Sequence, residues 1–142
     1  MWAIGSSRHN PGIASDDRHA NRHRHPPSPD GVPLNPVDPV QRQLDAYNAH
    51  DLDRFVAQYA DDIRVYRPPV MEPVLVGKQA FADHYARNRF TLPDLHAEVV
   101  NRIVSGNTVV DHERITGLQP GVVEAIAVYT VEGGLIRTVW FY

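Results

Sequence analysis

Apolar residues recur at helical spacing in the first half of the ordered-looking chain and alternate with polar ones in the second. Val40, Leu44 and Tyr47 fall on one face of a helix, which Asp38 can cap with Pro39 in its first position. Asn48-Ala49-His50-Asp51 breaks that helix, and His50 is expected to cap the turn. Asp51 caps a second helix with Leu52, Phe55, Val56 and Tyr59 as its stripe, closed by Asp61-Asp62. Ile63-Arg64-Val65-Tyr66-Arg67 alternates as a short strand and stops at Pro68-Pro69. Residues 70–76 read as a loop or an edge strand, and Gly77 opens a third helix over 78–89 with Phe81, His84 and Tyr85 on one side. Strands follow over 95–104, then, after a tight turn at Ser105-Gly106-Asn107, up to Gly117, over 122–131, and over 135–142 beyond a Glu132-Gly133-Gly134 hairpin. The order ααβαββββ, with helices first and a meander last, predicts an α+β fold with helices on one face of a curved, mostly antiparallel sheet.

One strand breaks the simple alternation. In Val109-Val110-Asp111-His112-Glu113-Arg114-Ile115-Thr116, side chains point to two faces in turn. Val109, Asp111, Glu113 and Ile115 share one face, apolar at both ends with two carboxylates between. If that face is buried, the two acids lie about 7 Å apart inside the protein, from a rise of ~3.3 Å per residue. Buried carboxylates must be paired or protonated. Either arginines neutralise them, or they line a cavity and act there.

Composition narrows the partners. The chain has 142 residues, which suits one domain, and its 42% hydrophobic content can build a core. A net charge of -3 without a basic stripe in the body argues against nucleic acid. The absence of cysteine excludes disulfides and thiolate metal sites. No apolar run approaches the about 20 residues a membrane helix needs, and the opening Met-Trp-Ala-Ile-Gly-Ser-Ser is too short for a signal-peptide core; the expected location is cytoplasmic. Residues 1–36 hold six of the twelve prolines and four of the eight histidines without apolar periodicity, which predicts a disordered tail ahead of a domain over 37–142. His23 and His25 in that tail are expected to be solvated rather than metal-bound.

Several stretches stand out: Val40-Gln41-Arg42, Tyr47-Asn48-Ala49-His50-Asp51-Leu52-Asp53, Tyr59-Ala60-Asp61-Asp62, Glu72-Pro73, Gly77 with Tyr85-Ala86, and Gly133-Gly134-Leu135-Ile136. Together they resemble the nuclear transport factor 2-like superfamily, in its SnoaL-like and ketosteroid isomerase-like branch. The resemblance covers residues 38–142 and speaks for fold more than for function, because one fold hosts many chemistries. It implies a conical barrel, a curved sheet wrapped around three helices, with a deep apolar pocket and a homodimer formed through the sheet. The isomerase chemistry needs an Asp base and an oxyanion hole of one Tyr and one protonated Asp. Matching the motifs puts Gln43, Arg67 and Ala127 at those three positions, so that mechanism is not expected.

A different polar set takes its place. The resemblance puts Tyr47, Arg67 and His84 at pocket-facing positions and matches Tyr85 to a tyrosine that supports the pocket. Asp111 and Glu113 stand where relatives carry apolar residues. The expected ligand-binding residues are Tyr47, Arg67, Tyr85, Asn101, Tyr129 and Phe141. The expected catalytic residues are Asp111, Glu113 and His84: two nearby carboxylates push one pKa up, leaving an acid and a base at neutral pH, and His84 is their partner. Arg67 can grip an anion at two points, or it can compensate one of the acids. His112, on the opposite face, is expected at the surface or a dimer face, and Trp140 and Tyr142 can serve that face too. His84, Asp111 and Glu113 also make the ligand set that non-haem iron uses, but their spacing gives no support, and neither metal nor cofactor is expected. The leading function is thus a pocket for a small apolar molecule with acid/base chemistry of isomerase, cyclase, dehydratase or hydrolase type. The rival is a non-catalytic binding or dimerisation module whose acids pair with Arg102 or Arg137 across strands.

Overall fold

A computed structural model describes residues 34–142, so the expected tail falls outside the described residues except for its last three. Helix α1 (Val37–Asn48) starts ahead of the expected cap. Asn35 accepts from the Val37 amide at 3.0 Å through its side chain, which leaves Asp38 in the first turn, where its charge suits the helix dipole. Val40 and Tyr47 are buried as the spacing predicts, and Gln43 is buried beside them. The turn after α1 closes with its own backbone hydrogen bonds and is also held to the sheet. Asn48 donates to the Ala97 carbonyl at 2.9 Å and accepts from the Ala97 amide at 2.8 Å, and the His50 ring bonds the Leu95 carbonyl at 2.7 Å.

Asp51 caps α2 (Leu52–Val56) as expected, accepting from the Arg54 amide at 3.1 Å. The helix is shorter than its stripe suggested. Tyr59 opens strand β1 (Tyr59–Tyr66), where it pairs with Ile136, because strand pairing overrides one more turn of helix. A two-residue edge strand, β2 (Leu75–Val76), pairs with β1, and α3 (Lys78–Asn88) buries Phe81 and Tyr85. Strands β3 (His96–Ser105), β4 (Thr108–Thr116), β5 (Val123–Glu132) and β6 (Leu135–Phe141) form an antiparallel meander. The order is therefore ααββαββββ, with three helices of which the second is one short turn. The sheet runs β2-β1-β6-β5-β4-β3, with β1 parallel to β6 and every other pair antiparallel.

The helices cover one face of this curved sheet with an aromatic cluster. Phe55 lies 4.7 Å from Tyr85 and 5.6 Å from Phe81 between ring centroids, and Tyr59 lies 4.3 Å from Phe81. Each fully buried ring contributes about 1.5–3 kcal/mol of apolar burial. Gly117, just past β4, has φ +75°, and a Cβ there would sit 2.1 Å from the Asp94 carbonyl oxygen. Only glycine lets the end of β4 close on the segment leading into β3.

Candidate active site

Strand β4 carries its alternation through. Val109 and Asp111 are fully buried and Glu113 is 6% exposed, whereas His112 and Arg114 face outward and both hold Glu124, at 3.1 Å and 3.0 Å. The two buried acids meet different fates. Strand β3 has a bulge between Val99 and Asn101, after which Arg102 stands across from Asp111. Arg102 grips Asp111 at two points, 2.7 Å and 3.0 Å, and donates at 2.8 Å to Gln41 on α1. Asp111 is thus neutralised as the paired reading expected. Arg137, the other arginine considered for that task, holds Asp62 and Glu132 at the surface.

Glu113 has no arginine. Its cross-strand neighbours are Val99 and Ala125. Its one hydrogen-bond partner among the described residues is the Tyr129 hydroxyl, which donates to it at 3.2 Å. That hydroxyl accepts from Gln43 Nε2 at 3.2 Å, and Gln43 Oε1 accepts from the Tyr59 hydroxyl at 3.1 Å. A relay of hydroxyl, amide and hydroxyl from β1, α1 and β5 therefore ends on the carboxylate. Burial raises the Glu113 pKa from 4.5 to about 7, helped by the Asp111 charge and opposed by the Tyr129 hydrogen bond and Arg102. Burial likewise raises Tyr129 and Tyr59, so both remain hydroxyl donors at neutral pH.

Glu113 lines a cavity of about 240 Å³ between helices and sheet. That is small beside the ~300–1,000 Å³ of typical ligand sites. Leu44, Phe55, Ile115, Leu118, Val123 and Phe141 supply apolar wall. Of the expected ligand-binding residues, Tyr47, Arg67, Tyr85, Tyr129 and Phe141 line it. Arg67 is exposed overall and lies over the Phe141 ring, 4.9 Å from its centroid. It makes no ion pair with Asp111 or Glu113. The Tyr47 and Tyr85 hydroxyls have no hydrogen-bond partner among the described residues. Burial pushes Tyr85 up to about 12 and raises Tyr47 as well.

Two expected residues lie elsewhere. Asn101 is exposed and pairs with outward-facing His112, because the bulge at Val100 turns it from the inner to the outer face. His84 stands outside the cavity lining, on the flank of α3 next to the buried Phe81–Tyr85 stripe, with Nδ1 3.2 Å from the Asn88 amide. Burial, Arg89 and Arg67 lower its pKa. The His84, Asp111 and Glu113 set is therefore not assembled. Gln43 and Arg89, which the sequence pattern did not single out for a role, do line the cavity. Their signal was spacing: Gln43 sits one turn before Tyr47, and Arg89 one turn after Tyr85. Of the positions that carry isomerase chemistry in the resemblance, Gln43 and Arg67 line the cavity, and Ala127 lies buried across from Asp111.

Comparison with known proteins agrees with this architecture. No curated protein matches the sequence significantly. Among solved structures, an uncharacterized cystatin-fold protein from Novosphingobium aromaticivorans is 25% identical with a TM-score of 0.68, over 77% of this chain and 98% of that one. The Delta 5-3-ketosteroid isomerase of a Mycobacterium species is 22% identical with a TM-score of 0.65, over 77% and 93% of the two chains. A putative polyketide cyclase from Sinorhizobium meliloti is 21% identical with a TM-score of 0.64, over 74% and 94%. These likenesses speak for the fold. Residues 40–139 match the SnoaL-like domain, and by that match the chain belongs to the SnoaL-like family.

Proposed function

We propose that the cavity binds a small, largely apolar molecule and that Glu113 moves a proton on it, as an isomerase or cyclase would. One observation carries this reading: Glu113 is a carboxyl group on the wall of an open cavity, free of any arginine contact, and poised at about 7. A general base works best with a pKa near the operating pH. The ionised carboxylate takes a proton from a carbon next to a carbonyl. The C–H electron pair becomes the double bond of an enolate, with the charge on the carbonyl oxygen. The protonated carboxyl then returns the proton to the same carbon or to one conjugated with it. The Tyr47 and Tyr85 hydroxyls are donors for the enolate oxygen. The chemistry balances without a cofactor.

The polyketide cyclase and ketosteroid isomerase likenesses support a role of this type, although this chain carries the carboxylate on β4 rather than at the position of Arg67. The closed Asp111–Arg102 pair favours the rival reading for that acid alone. The test is deuterium uptake from heavy water next to the carbonyl of small enolisable ketones, followed by NMR for wild type and Glu113→Gln. Uptake accelerated by wild type, rising with pH through about 7 and lost in the variant, is the expected result. Equal uptake in both proteins would remove Glu113 from the chemistry.

A further inference from the structure

We infer that the substrate is an organic anion whose carboxylate is held at the cavity mouth by Arg67 and Arg89, with its reacting carbon at Glu113. The inference rests on the reading of this cavity as a substrate site and deepens it. Arg67 and Arg89 both line the cavity that Glu113 lines. Neither has an acidic partner among the described residues. Arg89 uses one donor on the Asn88 carbonyl at 3.0 Å, and Arg67 rests on the Phe141 ring. Other arginines near the cavity are spent: Arg102 on Asp111 and Gln41, and Arg114 on Glu124. Glu124 also lines the cavity, but Arg114 and His112 hold it, so it does not cancel Arg67 or Arg89.

The charges also come from different elements. Arg67 follows the end of β1 and Arg89 the end of α3, whereas Glu113 lies on β4, and Tyr47 and Tyr85 line the same cavity. The lining thus has a cationic part and an acidic part. An anion placed at the acidic part would be repelled. One placed at the cationic part meets two planar donors suited to a carboxylate, while the apolar wall takes a hydrocarbon or aromatic body.

The experiment pairs 4-oxo-4-phenylbutanoate with its primary amide, which differ in charge and share the enolisable ketone. Affinities are measured by calorimetry for wild type, Glu113→Gln and Arg67→Gln/Arg89→Gln, with melting temperatures as the control for folding. Wild type is expected to bind the acid about tenfold or more tightly than the amide. The double arginine variant should bring the two within about threefold, and Glu113→Gln should keep the preference. Equal binding of acid and amide by wild type overturns the inference, and so does a preference that survives in the folded arginine variant. Deuterium uptake next to the ketone separates the two readings. An arginine-dependent preference without uptake keeps the anion site and removes the proton-transfer reading. Uptake that needs Glu113 but ignores the carboxylate does the reverse. If neither compound binds at millimolar concentration, both readings fall.

Discussion

Replacing Glu113 with Gln isolates the cost of placing a carboxylate on this wall. The substituted amide would keep the shape and an oxygen for the Tyr129 hydroxyl, but it cannot ionise. Glu113 has its pKa raised in the folded protein from 4.5 to about 7. A group raised in this way stabilises the fold fully below its unfolded value and loses that contribution as pH climbs to the folded one. The gap of about 2.5 pH units is worth about 3 kcal/mol, at about 1.4 kcal/mol per unit. Glu113 is 6% exposed, so solvent screening removes little of this. The stability of Glu113→Gln relative to wild type should therefore climb by about 3 kcal/mol between about pH 4 and pH 8, with most of the climb below pH 7. In melting temperature this is on the order of 10 °C. Urea unfolding of both proteins across that range at fixed ionic strength measures it. Groups away from Glu113 are common to both proteins and cancel in the difference. Curves that run parallel within about 0.5 kcal/mol would mean that Glu113 is not poised near neutrality, and the acid/base reading would lose its foundation.

Arg102→Ala strands the fully buried Asp111 carboxylate and is expected to cost about 3–5 kcal/mol in urea unfolding at neutral pH. Asp111→Asn costs less, because Arg102 is partly exposed and reaches water, and it removes a charge that raises Glu113; carbon-13 NMR of Glu113 should then show titration below about 7. On the outer face of the sheet, Ile103, Val110, Val128, Trp140 and Tyr66 pair in register across five strands, and Ile103 is 59% exposed. We propose this row as the surface of the expected homodimer. Light scattering should then give twice the chain mass for wild type and a monomer for Ile103→Glu, and a monomeric wild type would refute the assignment.

Periodicity was legible wherever one residue type decided the local structure. Asp51 caps α2, Gly133-Gly134 turns the last hairpin with both φ values positive, and the β4 alternation places Asp111 and Glu113 inside. What escaped the pattern was decided by contacts distant in sequence. Tyr59 continues a helical stripe, but its pairing with Ile136 makes it a strand residue. Asn101 has the inward parity of Ala97 and Val99 until the Val100 bulge reverses it. His84 sits at helical spacing from Phe81, yet the cavity opens on the Tyr85 side of α3. Gln43 looked like a missing catalytic tyrosine in the resemblance, and only the fold shows that it joins Tyr59 and Tyr129 into the relay on Glu113.

The bulge also explains why one acid is quenched and the other is not. Asp111 and Glu113 are two residues apart on the same face, so composition and burial treat them nearly alike. Their difference lies on the neighbouring strand. With Val100 bulged out of the ladder, β3 presents Arg102 to Asp111 and Val99 to Glu113, while β5 gives them Ala127 and Ala125. Were the same sequence paired regularly onward from Val99, Asn101 would stand across from Asp111, and both acids would lack a cation. Two unpaired buried carboxylates are costly enough that at least one would hold a proton across the neutral range. With the bulge, Arg102 holds Asp111 at two points, and the charge of that acid helps raise Glu113 to about 7. A single bulged residue on β3 thereby turns a symmetric pair into one acid bound to an arginine and one that faces the cavity without a cation.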